Sequence, residues 1–109
     1  MSWKEAALAH AKTSSKEVCG LVCLVDGVET YIACKNVSEE PEQEFLICPD
    51  SWIKAEDQGE PVAVFHSHPG QGVLPNASDT DIESCNHVDL PFYIVNPESE
   101  SWDCIKPSS

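Results

Sequence analysis

Two histidines one residue apart, His66-Ser67-His68, close the apolar run Val62-Ala63-Val64-Phe65 and are followed at once by Pro69. Residues two apart on a strand project to the same side, so the pair predicts a two-point metal clamp at a strand's carboxyl end. Imidazole is a common nitrogen ligand for zinc, and a catalytic zinc site keeps three protein ligands with a fourth position open to water. The nearest carboxylates downstream are Asp79 and Asp81, in a Ser78-Asp79-Thr80-Asp81 stretch whose pattern is that of a helix N-cap. By itself His-x-His is a weak signal, because histidines that merely hydrogen-bond in a core share the spacing. Ser78-x-x-Asp81 is equally a plain capping box, with Asp81 favourable near a helix N-terminus.

Other residue types with chemical potential have ordinary explanations. Glu17 is one acid among nineteen. His10 falls on the expected first helix and His87 at the end of a later one, where surface or capping roles suffice. Trp3, Trp52 and Trp102 are spread too evenly for a binding platform and are expected to pack at the core or its edges. Cys19 lies two residues from Glu17 and hence on the same strand face, which leaves a cysteine ligand or nucleophile open. The six cysteines, Cys19, Cys23, Cys34, Cys48, Cys85 and Cys104, contain no C-x-x-C pair and lie in apolar segments, so reduced structural thiols are expected rather than disulfides.

The elements that must position these residues follow from pattern. Trp3, Ala7 and Ala11 recur at helical spacing, predicting a helix from Trp3 to about Ser14 with Lys4 and Lys12 on its wetter sides. Val18 to Asp26 and Val28 to Val37 are β-branched runs joined by Asp26-Gly27, a hairpin signal. Glu44 to Cys48 reads as a third short strand stopped by Pro49, and Asp50 to about Asp57 as a short helix. Val62 to His68 suits a central strand buried on both faces. Pro69 to Asn76 is loop, a helix runs from the Ser78 cap to about Val88, and Pro91 to Val95 is another buried strand. Ser101 to Ile105 is an edge strand paired to it through a turn from Asn96. The order predicts an α/β or α+β sandwich, a single mixed sheet flanked by helices.

With 109 residues the chain has room for one domain. Six basic residues, all lysines, stand against nineteen acids, a net charge of −13. Without arginine there is no bidentate fork for phosphate, and the acidic field repels polyanions, so nucleic acid and anionic membrane surfaces are excluded as partners. The apolar share of 41% supports a modest core. No apolar run approaches the roughly 18 residues of a membrane span, and the first residues lack the pattern of a secretory signal, which predicts folding in a reducing cytoplasm.

Glu17-Val18-Cys19-Gly20 at a strand start, His66-Ser67-His68-Pro69, and Ser78-Asp79-Thr80-Asp81 together resemble the JAMM motif of the MPN/JAB family of zinc metalloproteases. Asn36, Phe45 and the apolar lead-in to His66 also sit where bacterial and phage members of that family have them. The resemblance covers nearly the whole chain, residues 1–105, leaving 106–109 as a linker-like tail. It implies a cytidine-deaminase-like MPN/JAB fold, Zn²⁺ held by His66, His68 and Asp81, Glu17 as the general base for an activated water, and Ser78 as a hydrogen-bond donor to the oxyanion. One departure concerns the loop: nine residues, Pro69 to Ala77, separate His68 from Ser78, two more than is usual in the family. Were the spacing kept, Asp79 would be the metal carboxylate and Asn76 would stand in the serine position. Asp81 is preferred, because loops absorb insertions cheaply while a helix start fixes the serine-to-aspartate geometry.

Family members cleave amide bonds, often isopeptide bonds or bonds beside a terminal diglycine. The chain is most similar to the JAB domains of phage tail-assembly members, in which a cysteine peptidase of the NlpC/P60 type follows. The resemblance therefore implies a zinc peptidase acting on a peptide or protein during tail-tip assembly or on host cell-wall peptides. Its partners would be other tail-tip proteins, and its location the host cytoplasm or the virion tail tip. Two alternatives stand beside it: a catalytically silent structural tail component of the same fold, and a bacterial protease trimming ubiquitin-like sulfur carriers.

Overall fold

The computed structural model describes residues 2–40 and 45–108. Eight elements follow in order: α1 (Trp3–Ala11), β1 (Cys19–Val25), β2 (Val28–Cys34), α2 (Pro49–Gln58), β3 (Glu60–Ser67), α3 (Asp79–Val88), β4 (Phe92–Asn96) and β5 (Ser101–Ile105). The strands form one mixed sheet in the order β2-β1-β3-β4-β5, antiparallel except for the β3–β4 pair, which α3 connects. β3 is therefore central, as its apolar run requires. Its alternate residues feed two cores: Phe65 packs with Ala7, Ala11, Val18 and Val95 beneath α1, while Val64 packs with Cys19, Leu21, Ala55, Cys85 and Phe92 on the side of α2 and α3. Trp3 and Trp102 lie against the first core and Trp52 against the second. None of the six cysteine sulfurs is paired; four are buried, Cys48 is half-buried and Cys104 is exposed.

The β1–β2 hairpin turns on Asp26 (φ 52°) and Gly27 (φ 79°), two successive positive-φ residues of the kind a two-residue hairpin needs. Several boundaries differ from expectation for visible reasons. α1 ends at Ala11 rather than Ser14, because the Thr13 hydroxyl donates to the His10 carbonyl at 2.7 Å and draws the chain out of the helix. Lys4 is not merely solvated: its ammonium sits 5.4–5.9 Å from the ring centroids of Trp3, Tyr93 and Trp102. β2 stops at Cys34, and the expected third strand reduces to a single bridge between Asn36 and Ile47; Glu44 lies outside the described residues. Pro49 opens α2 as its first residue, a position that needs no N–H donor.

Candidate metal centre

The carboxyl end of β3 meets the start of β1 and the N-terminus of α3. His66 pairs with Cys19 across β1–β3 and with Ile94 across β3–β4, which fixes its backbone from both sides. Its ring is fully buried, stacked on Phe45 at 4.2 Å between centroids and edge-on to Phe92 at 5.9 Å. His68 lies one residue beyond the ladder, with its ring centroid 5.1 Å from that of His66. Between them, buried Ser67 turns to the other face, where its hydroxyl accepts from the Val18 N–H at 2.9 Å while its own N–H donates to the Val18 carbonyl at 3.0 Å. Those two bonds carry the β1–β3 pairing past Cys19 and bring Glu17 beside the histidines. Asn36 holds the same segment from the other side, donating to the Glu17 carbonyl at 2.9 Å.

One ligand atom from each of Glu17, His66 and His68 can be chosen so that all lie within 4.8 Å of one another, a group able to hold a metal ion. Asp81 enters from α3, with Oδ1 at 3.1 Å from His66 Nε2 and Oδ2 at 3.3 Å from His68 Nε2. It is also the carboxylate of the capping box, accepting from the Ser78 N–H at 2.9 Å while the Ser78 hydroxyl accepts from the Asp81 N–H at 3.1 Å. The cap and the cluster are thus one arrangement: the helix start aims the carboxylate. Asp79 and Asn76 are exposed. Ser78 is exposed at the rim, its oxygen engaged as the cap acceptor and its O–H proton left for another partner.

Charge states follow from the surroundings. Burial pushes the His66 imidazole below its ordinary value despite Asp81, so the ring is neutral, the form that offers a lone pair. In His68 burial acts in the same direction, but the Asp81 and Glu17 carboxylates outweigh it and raise the net value. Burial would raise the Asp81 carboxyl, yet the two facing imidazoles and the Ser78 N–H hold it well below the usual carboxylate range. Cys19 takes the opposite course: burial, then the neighbouring Cys34 and Glu17, push its thiol up to about 12, so it offers no thiolate nucleophile near neutral pH.

The donor set suits a divalent metal on one particular observation. Neither ring nitrogen of His66 has a hydrogen-bond partner among the described residues, although the ring is fully buried and Asp81 Oδ1 is only 3.1 Å from Nε2. The Asp81 carboxylate stabilises the Nε2 side of the ring electrostatically, and the buried ring keeps polar capacity for a further partner. His68 differs in that its Nδ1 lies 3.4 Å from the Leu74 carbonyl; donation there leaves Nε2 as the lone-pair nitrogen facing Asp81.

Residues 2–105 match the family described as prokaryotic homologs of the JAB domain. The chain belongs to the Prok-JAB family. Over 98 residues, 88% of this chain, it is 39% identical to tail tip assembly protein K of Escherichia phage N15, and over 47 residues 47% identical to the protein of the same name from Escherichia phage lambda. These matches span only 40% and 23% of the relatives' own lengths. Among solved structures, a protein from Desulfitobacterium hafniense is 25% identical with a TM-score of 0.70, covering 94% of this chain and 76% of that one. A JAB1/MPN domain protein from Archaeoglobus fulgidus is 18% identical with a TM-score of 0.59, covering 96% and 84%, a likeness of fold. Among the described residues, no helix of this Prok-JAB domain is long and apolar enough to cross a membrane.

Some contributors were not singled out from sequence. His10, expected in a surface or capping role, lies in the last turn of α1 and is half-buried, with Nδ1 at 2.6 Å from the Tyr31 hydroxyl, which itself donates to the Cys19 carbonyl at 3.3 Å. Ser67 and Asn96 carry no chemistry of their own, and only their place beside His68 and at a strand end could have marked them. His87 is exposed in the last turn of α3, as anticipated.

Proposed function

We propose that this Prok-JAB domain is a zinc-dependent peptidase or isopeptidase working in the assembly of a phage tail tip. The observation that carries it is the convergence of Glu17, His66, His68 and Asp81 around the unsatisfied, fully buried His66 ring. His66, His68 and Asp81 would hold Zn²⁺, which supplies Lewis acidity and brings the pKa of a water down to about 7. The Glu17 carboxylate would take the proton from the attacking water and deliver it to the departing amine, so that amide and water become carboxylic acid and amine. The Ser78 O–H would donate to the carbonyl oxygen as negative charge develops there. Tail-tip assembly as the setting, and tail-tip proteins as substrate or partners, are supported by the names of the phage relatives.

The same names favour one alternative, a structural tail component that keeps the fold and turns over nothing. Glu17→Gln separates the two. Zinc content equal to wild type with loss of peptide hydrolysis supports the peptidase; hydrolysis that persists in Glu17→Gln removes Glu17 from the chemistry. A zinc-loaded wild-type protein inert toward tail-tip proteins and diglycine-linked peptides alike would favour the structural component.

A further inference from the structure

Asn96, the last residue of β4, is 1% exposed and uses its whole carboxamide. Nδ2 donates to two main-chain carbonyls on the far side of the histidine pair, His68 at 2.8 Å and Gly70 at 2.9 Å. Oδ1 accepts from the Glu98 N–H at 3.1 Å, the Ser99 N–H at 2.9 Å and the Ser99 hydroxyl at 3.1 Å. Carbonyls on one end and N–H groups on the other leave the orientation of the amide unambiguous. His68 itself lies outside the β3 ladder, and among the described residues its main chain is held by its N–H to the Val95 carbonyl at 2.8 Å and by Asn96. Gly70, at φ 120°, starts the loop that returns the Leu74 carbonyl to His68 Nδ1, and the Glu98 carboxylate accepts from the Gly70 N–H at 3.2 Å.

We propose that Asn96 is a positioning residue of the metal centre: through one buried carboxamide it fixes the His68 main chain and the root of the loop that sets the His68 tautomer. This rests on His68 being a ligand, as in the function proposed above. Asn96→Asp keeps acceptors for the Glu98 and Ser99 N–H groups and replaces the two donors toward His68 and Gly70 by a carboxylate oxygen that repels both carbonyls, while Asn96→Ala removes the donors without adding charge and should move the His68 signals in the same way. In the metal-free 109-residue chain, the His68 ring ¹⁵N shifts and amide exchange are compared among wild type, Asn96→Asp, Asn96→Ala and Ala7→Gly. The last is a destabilised control on α1 in the opposite layer. Zn²⁺ affinity is measured by competition titration. The Glu98 and Ser99 amides should stay protected in Asn96→Asp, while the His68 amide exchanges faster, its ring shifts move and zinc Kd weakens about 10–100-fold. Wild-type ring shifts and zinc Kd in Asn96→Asp would overturn the proposal, as would an Ala7→Gly variant of matched Tm that reproduces both changes. Displaced His68 signals in a protein whose wild type takes up no zinc would leave Asn96 as the support of His68 and defeat the zinc reading instead.

Discussion

Replacing Ser67 by alanine should damage the protein twice, once in stability and once in chemistry. The hydroxyl accepts the Val18 N–H at 2.9 Å in a site with no solvent access, so alanine strands a buried donor. An unsatisfied buried N–H costs about 1–3 kcal/mol. With about 2.1 cal/mol/K of unfolding entropy per residue, 109 residues give about 0.23 kcal/mol/K, so a loss of about 2 kcal/mol lowers Tm by about 9 °C. The second effect follows from where Val18 lies. Its N–H bond holds the segment that presents Glu17, whereas His66 and His68 keep their other backbone partners; zinc content should therefore stay near wild type. A general base displaced by about 1 Å costs about 100-fold, so kcat should fall by that order with little change in metal. Calorimetry, metal analysis and peptide hydrolysis on the one variant read all three quantities. A Tm within 2 °C of wild type would refute the stranded donor, and an unchanged kcat at a lowered Tm would refute the link from Ser67 to Glu17.

Zinc binding should release one proton below the raised His68 value. The His68 value is raised in the metal-free protein while His66 is neutral, so below the His68 value zinc Kd should weaken tenfold per pH unit and level off above it. By the same sign, His68 contributes stability that is complete below its unfolded value of about 6.5 and is lost as pH rises through the higher folded value. Isothermal titration from pH 5.5 to 8 checks the slope, and a flat profile or a two-proton slope contradicts it. Thiol labelling of the native protein should reach exposed Cys104 and half-buried Cys48, whose thiol is lowered by the Ser51 backbone at the head of α2. Cys19, raised to about 12 and buried, should label only on denaturation; modification of Cys19 in the native state, seen by peptide mapping, would contradict its exclusion from the chemistry.

Much of the fold was legible because local chemistry and burial agree. Asp26-Gly27 announces its turn through positive φ, the uninterrupted apolar run before His66 announces a central strand, and Ser78 with Asp81 announces a helix start. The misplaced boundaries are those where side chains compete with the ladder: Thr13 ends α1, and Asn36 leaves β2 to take the Glu17 carbonyl and the Ser38 and Leu46 N–H groups. The residues proposed for chemistry were nameable only in combination: His-x-His is weak by itself and Glu17 is one acid among nineteen, and their joint resemblance to the JAMM motif singled them out. The preference for Asp81 over Asp79 came from the serine-to-aspartate spacing of that helix start; Asp81 faces both histidines through its capping box, and Asp79 is exposed. The supports of the site were silent for a different reason. Ser67 and Asn96 act through backbone partners far away in sequence, and no local pattern encodes such a partner.

The central claim is that His66, His68 and Asp81 hold one zinc ion, and metal content tests it most directly. Protein purified without added zinc, and then titrated with it, should carry about one zinc per chain. His68→Ala and Asp81→Ala should each lose it, and Asp79→Ala, changed at an exposed site, should keep it. No uptake by the wild type would contradict the account and reduce Ser78 and Asp81 to a helix cap. Loss in Asp79→Ala with retention in Asp81→Ala would overturn the ligand set.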